Sequence, residues 1–377
     1  RLLSRPVNGG EEEGSKVSLA DLFCMHYNVR ADGNVDFEQD PRGQLKRKNI
    51  LSVWGSLEVT ARSVGLDQAT TERALSRARE ILWEARQKRP KPRLDNKVLT
   101  CWNGLMISGF ARAGQVLGEA AYTARAAQAA NFIKEHLYNE TTGCLMRSCY
   151  MDKDGEVAQL AEPIGGFADD YSALIRGLLD LYEASYDQSW LEWAASLQTK
   201  QDQLFWDPEH GGYFITSGDD PSIKLRLKGD RDGAEPSANS LSAMNLQRLA
   251  EYTGSERWVA RVDDLLAVFA KTLAEAPMVL PEMVSALLFK RSSPKQIIIR
   301  GEAQAEDTLA LLQCVHYHYL PNKILVLADG EPDSFLASRL SLMPTLEKHQ
   351  GKATAYVCKN FQYQLPVTSV EELEKLL

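Results

Sequence analysis

Phe132…Leu137-Tyr138-Asn139…Thr142-Gly143-Cys144-Leu145 is followed one unit later by Leu197…Leu204-Phe205-Trp206…His210-Gly211-Gly212-Tyr213-Phe214. Each stretch closes an apolar helical pattern, turns through glycine and enters a short β-prone run. Outward from this pair, Trp102-Asn103, Asp169-Asp170 and Ala238-Asn239 each stand at the start of an apolar helix. Asn103 and Asp170 are 67 residues apart, and Asp170 and Ala238 are 68 apart. A fixed period of this kind means stacked supersecondary units that bury a core only together. Each unit reads helix, turn, helix, short hairpin. The hairpin strands are expected at Cys144–Met151 with Glu156–Leu160 and at Gly212–Thr216 with Ile223–Lys228.

The helices follow from apolar residues at spacings of three and four. Trp102, Leu105, Met106, Gly109, Phe110, Ala113, Val116 and Leu117 make one such face. Tyr171, Leu174, Ile175, Leu178, Leu179 and Tyr182 make another. The most apolar helices alternate with amphipathic ones, as in an inner ring enclosed by an outer ring. The fold expected is mainly α, an (α/α)6-type toroid. About four hairpins are legible, counting the helix at Asp67–Arg89, so the ring is incomplete or open.

Outside the repeat the pattern changes. Residues 1–50 read as an irregular lead-in with one short helix near Leu19–His26 and a polar loop over Arg30–Asn49. Residues 51–292 carry the toroid. Residues 293–377 alternate strand and helix, with strands at Gln296–Ile299, Lys323–Leu327 and Thr354–Cys358. That alternation predicts a small α/β cap with a three-stranded parallel sheet.

Composition narrows the function. A net charge of −8 gives no footprint for nucleic acid. The basic run from Lys88 to Arg93 reads as a solvated linker. No apolar run is long enough to span a membrane. Six cysteines with no C-x-x-C pair read as small buried hydrophobes. The histidines lack zinc spacing, and His316 and His318 point to different helix faces. No glycine-rich nucleotide turn, phosphate loop or G-x-S-x-G elbow occurs. Neither a metal nor a cofactor is therefore expected. No targeting segment is legible, and Asn139-Glu140-Thr141 is a glycosylation sequon only in a secreted protein. Secreted and intracellular settings both stay open.

The helix starts carry the chemistry. They hold Trp102-Asn103, then Phe167-Ala168-Asp169-Asp170-Tyr171, then Asp232…Glu235…Asn239, then Glu282. Carboxylates and amides cap helix starts well, which accounts for any one of these motifs. Gathered at one mouth of a ring, they would instead surround a hollow with acids and aromatic faces. That combination suits a sugar or glycan, which offers apolar C–H faces and hydroxyl donors. Paired carboxylates also supply the acid and base of glycoside hydrolysis. Asp170 and Glu235 are the favoured catalytic pair. Trp102, Asn103, Phe167, Asp169, Tyr171, Asp232, Asn239 and Glu282 are the candidate substrate-binding residues.

Asp95–Leu99 followed by Thr100-Cys101-Trp102-Asn103-Gly104-Leu105-Met106 resembles a D-x-K-V-L…W-N-G-L-M signature. Arg176–Ala184, Asp232–Ser240, Pro321-Asn322-Lys323, Ala355–Asn360 and Leu365–Thr368 are similar too. These stretches resemble the spermatogenesis-associated, thioredoxin-domain-containing protein family. The resemblance implies a six-hairpin glycosidase-like toroid preceded, in the full-length protein, by a thioredoxin-like domain bearing a C-x-x-C pair. It also implies a link to spermatogenesis and fertility, without an assigned reaction. Relatives often carry a second cysteine soon after the one at Cys358; Tyr363 falls in that region here, which weakens a redox or metal role. Three functions stay open: a carbohydrate-active hydrolase or epimerase, a scaffold or binding module for the thioredoxin-like domain, and part of a thiol oxidoreductase.

Overall fold

The structure is a computed structural model that describes all residues except 1, 5, 6, 8–16, 93, 153, 220, 341, 360 and 361. Twelve of the first sixteen residues, Arg93 of the basic run and Asn360 of the C-terminal motif lie outside the described residues. The chain forms two compact units, Arg1–Asp95 and Asn96–Leu377. The division falls after the basic run, so the helix at Asp67–Arg89 lies in the first unit.

In the first unit, α1 (Leu19–His26), α2 (Leu57–Val64) and α3 (Gln68–Gln87) pack around Leu22, Leu75 and Ala78. Ser18 opens α1 with a capping box, its hydroxyl taking the Asp21 N–H while the Asp21 carboxylate takes the Ser18 N–H. Between α1 and α2 the chain makes turns and a single 3-10 turn at Phe37–Gln39.

In the second unit the helices come in pairs: α4 (Thr100–Leu117) with α5 (Ala120–His136), α6 (Ala168–Ser185) with α7 (Gln188–Phe205), and α8 (Ala238–Thr253) with α9 (Glu256–Val268). A short α10 (Ala270–Glu275) then leads to α11 (Pro281–Arg291). The first member of each pair packs on the next, giving a row α4, α6, α8, α11, with α5, α7 and α9 behind. Burial follows this order. Helices α6 and α8 are buried almost all round, while α9 buries one stripe, Trp258, Val262, Leu265 and Leu266. Glycine closes two of the row helices in the left-handed region, Gly118 at φ 68° and Gly254 at φ 67°, where a Cβ would be strained.

Helix α4 corrects the sequence reading. Trp102, Met106, Val116 and Leu117 are exposed, and the buried stripe is Cys101, Gly104, Ile107, Ala111 and Gly114. Small residues win that face because the α6 backbone lies directly on it. A Cβ on Gly104 would stand 2.5 Å from the Ala173 carbonyl carbon.

Short strands flank the first helical pair, one before it and the others after it. These are β1 (Lys97–Leu99), β2 (Tyr138–Asn139), β3 (Cys144–Leu145), β4 (Ser148–Met151) and β5 (Val157–Ala158). β4 pairs antiparallel with both β1 and β5, and β2 pairs with β3. The first expected hairpin is thus present in shortened form. The second is not: among the described residues, 212–216 and 223–228 form no strands and are joined by the Ile215 N–H to Leu227 carbonyl bond.

The C-terminal region holds β6 (Lys295–Arg300), α12 (Glu306–Tyr317), β7 (Lys323–Ala328), β8 (Thr354–Lys359), β9 (Gln362–Tyr363) and α13 (Val370–Glu374). Its sheet has four strands in the order β7-β6-β8-β9, not three parallel ones. Only β6 and β7 run parallel; β8 is antiparallel to β6. The cause lies in the connection before β8, where the described residues of 329–340 and 342–353 make turns and short 3-10 pieces instead of a crossover helix. Without a crossover the chain does not return to the starting end of the sheet, so β8 runs back along β6. Among the described residues no helix is long and apolar enough to cross a membrane.

Candidate functional site

Three helix starts in the second unit converge on Cys101. Its backbone N–H, at the first turn of α4, donates to Asp170 Oδ1 at 3.0 Å. Its thiol donates to Glu235 Oε2 at 3.8 Å. The next residue, Trp102, donates its indole N–H to the other Glu235 oxygen. Arg147, just beyond β3, completes the cluster. Its Nη1 lies 3.2 Å from Asp169 Oδ1 and 3.1 Å from Asp170 Oδ2, and its guanidinium stacks 4.5 Å over the Phe167 ring.

The two adjacent aspartates do different work. Asp170 is fully buried and also takes the Phe167 N–H at 2.8 Å, fixing the entry to α6. Both its oxygens are therefore occupied by donors. Burial, and then the neighbouring Asp169, push its carboxyl up to about 7, against the pull of Phe167, Arg147 and Cys101. Asp169 is only partly buried. One of its oxygens, a Glu235 oxygen and Cys101 Sγ all lie within 4.8 Å of one another. That is the spacing of a three-ligand metal set, although Arg147 already supplies positive charge beside Asp169. Burial raises the Cys101 thiol pKa far above its ordinary value, so the sulfur stays protonated.

The other nominated residues divide. Trp102 is 55% exposed and presents its ring to solvent. Asn103 turns back to the Leu99 carbonyl at 2.8 Å and serves its own helix start. Tyr171 is buried against Phe205, and its hydroxyl accepts the Leu145 N–H at 2.8 Å. It belongs to the core and not to a ligand surface. Asp232 accepts from Ser237 N–H at 2.8 Å and Glu282 N–H at 2.9 Å, tying the starts of α8 and α11 together. Asn239 is buried, with its amide spent on both backbone groups of Tyr213. The Glu282 carboxylate pairs with Arg176 at 2.6 Å, six residues into α6 beyond Asp170.

Arg147 and Cys101 were missed in the sequence. Arg147 lies on the turn after a hairpin strand, out of register with the repeat, and no spacing points to it. Cys101 had a signal, its place directly before Trp102, but reads there as a core residue.

No family model matches the chain. It is 47% identical over 378 residues to human spermatogenesis-associated protein 20, which covers 100% of this chain and 48% of that protein. The mouse protein of the same name is 46% identical with the same coverage. An uncharacterized Caenorhabditis elegans protein is 34% identical, covering 97% of this chain and 49% of its own length. The chain thus spans about half the length of these relatives. Among solved structures, a D-mannose isomerase has TM-score 0.39 at 12% identity, covering 63% of this chain and 67% of its own. The cellobiose 2-epimerase of Bacillus thermoamylovorans has TM-score 0.38 at 16% identity, covering 48% and 46%. Likenesses at this level assign no chemistry. By sequence, over its whole length, the chain is homologous to spermatogenesis-associated protein 20.

Proposed function

We propose that this homologue of spermatogenesis-associated protein 20 binds a sugar or glycan at the helix starts around Cys101. The observation that carries the reading is the Asp169–Glu235 pair, whose oxygens lie within 4.8 Å of each other and of the Cys101 sulfur. The indole of Trp102 is bonded to one of those carboxylates and leaves an apolar face in solvent. An aromatic face takes the C–H side of a sugar ring, and the carboxylates accept its hydroxyls. Paired carboxylates also supply the two acidic groups of glycoside cleavage. In that role one carboxylate moves a proton at the glycosidic oxygen and the other meets positive charge developing on the ring. Asp170 then acts as a positioning residue, because its oxygens are held by Cys101, Phe167 and Arg147.

The test is a thermal-shift screen of neutral sugars and oligosaccharides against the wild-type chain, Asp169→Asn, Glu235→Gln and Trp102→Ala. A ligand that stabilises the wild type by mass action and none of the variants supports the site. Equal stabilisation of wild type and variants, or no response to any sugar, removes it.

A second reading has its own observation. Asp170, Asp232 and Asn239 are all spent on backbone groups, as helix-start residues of a non-catalytic module would be. Such a module would present the thioredoxin-like domain expected in the full-length protein. It predicts a stable chain that binds that domain and no sugar. For a thiol oxidoreductase the reactive cysteines would lie outside this chain.

A further inference from the structure

Further along the same helices lies a second feature, a cavity of about 640 Å³. The wall comes from the second half of α4, the middle of α6 and α8, α11, and the segment joining α12 to β7. From Asp170 to Asp180 along α6 is about 15 Å at 1.5 Å per residue. The helix-start cluster and this cavity therefore use different turns of the same helices. A volume in this range holds a mono- or disaccharide-sized molecule.

Its charged lining is unusual for a helical core. Four cations, Arg112, Arg176, Arg248 and Lys323, face three carboxylates, Asp180, Glu183 and Glu282. Asp180 is the hub. It accepts from Ser108 Oγ at 2.5 Å, Arg112 Nε at 2.9 Å and Arg248 Nη1 at 2.7 Å. Glu183 accepts from Arg248 Nη2 at 2.9 Å, the Tyr252 hydroxyl at 2.8 Å and Lys323 Nζ at 3.2 Å. The carboxylates are thus crowded with donors, whereas each guanidinium carries five N–H groups and accepts none. Arg176 bonds Glu282 through Nη1, while its buried Nε has no hydrogen-bond partner and stands 3.5 Å from Asp180 Oδ2.

Two facts separate this from an ion-pair network that serves stability alone. Such a network gains by tight packing, since desolvated charges need close partners on every side. This one borders open volume. The lining also sets four cations against three carboxylates, an excess of one positive charge. Burial and the neighbouring Lys323 lower the His316 pKa to about 4, so it adds no charge at neutral pH. Arg112 sits at the accessible side, its side chain 55% exposed.

We propose that this cavity is a binding site for a small anionic ligand of sugar size, bearing a phosphate or carboxylate group that docks on Arg112, Arg176 and Lys323. The site stands apart from the helix-start cluster, and either can fail without the other.

The experiment is calorimetric titration of the full chain with glucose 6-phosphate, glucuronate, inorganic phosphate and glucose. At least one sugar-sized anion is expected to bind the Glu235→Gln chain while glucose does not, with affinity falling as salt is raised. Arg112→Gln is chosen because the side chain is half exposed and the fold should tolerate it, which circular dichroism checks. It should weaken anion binding by about tenfold or more, whereas Glu235→Gln should leave it unchanged. Binding of glucuronate alone or glucose 6-phosphate alone supports the site and identifies the group it takes. Glucose binding that survives Glu235→Gln, no anion binding at about 10 mM, or unchanged anion affinity in Arg112→Gln overturns the proposal.

Discussion

Gly104 and Gly177 meet where α4 lies on α6: a Cβ on Gly177 would stand 2.5 Å from the Gly104 carbonyl oxygen. On the other side a Cβ on Gly104 would press on the Ala173 and Leu174 backbone at 2.5–2.7 Å. The two helices are therefore locked at a separation that only glycine permits. The same contact sets where the α4 start, with Cys101 and Trp102, sits relative to Asp170.

Glycine to alanine inside a helix ordinarily stabilises by up to about 1 kcal/mol. Gly104→Ala is expected to reverse the sign and cost about 2–3 kcal/mol, because the clash is with backbone that cannot turn aside. Gly109, in the same helix with nothing within 4 Å of its Cβ position, is the control. Gly109→Ala should stabilise by about 0.5–1 kcal/mol. Urea unfolding of the two variants reads both signs. Equal effects would refute the close-approach argument.

Asn239→Ala separates a structural amide from a ligand-binding one. The side chain accepts the Tyr213 N–H at 2.7 Å and donates to the Tyr213 carbonyl at 3.0 Å, fully buried. Removal strands two backbone groups, at a cost of about 3 kcal/mol. The loss should show in the unfolding midpoint of the chain without any sugar. A variant as stable as wild type would return Asn239 to the list of ligand contacts.

The fate of these residues shows how far the sequence could be read. In α6 the large apolar residues Tyr171, Leu174, Ile175, Leu178, Leu179 and Tyr182 are all buried, as their spacing predicts. In α4 the reading failed because the buried stripe is built from Gly104, Ala111 and Gly114, whose value is close backbone approach and not hydrophobicity. At the site, the acids could be named because helix starts concentrate them. Which aspartate faces outward could not, since Asp169 and Asp170 are adjacent and only the fold turns one inward. The antiparallel β8 departs from expectation because a strand's direction depends on the connection before it: Phe335–Leu346 reads as a loose helical stretch, and a crossover helix there would have returned the chain to run parallel.

His316 gives stability a dependence on pH. It lines the cavity, with Nε2 2.7 Å from the Tyr186 hydroxyl. Burial, then Lys323, lower its pKa from 6.5 to about 4, against the pull of Glu183. Between those values the unfolded chain binds a proton that the folded chain refuses. The contribution is therefore fully present above pH 6.5 and is lost as pH falls toward 4, up to about 3 kcal/mol. Urea midpoints measured from pH 7 to pH 4 should fall more steeply for wild type than for His316→Gln. Parallel slopes would show that His316 is not the group responsible.

Asp169, Asp170 and Glu235 should behave differently when each loses its charge. Glu235 is accessible and its carboxylate is held by Trp102 and Cys101, so Glu235→Gln should change stability by less than about 1 kcal/mol. Asp169→Asn loses a partly exposed ion pair with Arg147 and should cost a similar amount. Asp170→Asn faces two backbone N–H groups and Arg147 with one oxygen where two are needed. It should cost about 2–4 kcal/mol, because a buried donor is left against the new amide. A sugar identified by the thermal-shift screen should lose binding in the first two variants while their unfolding midpoints stay near wild type. If Asp169→Asn and Glu235→Gln instead lose stability as Asp170→Asn does, the pair is part of the helix-start scaffold and faces no ligand.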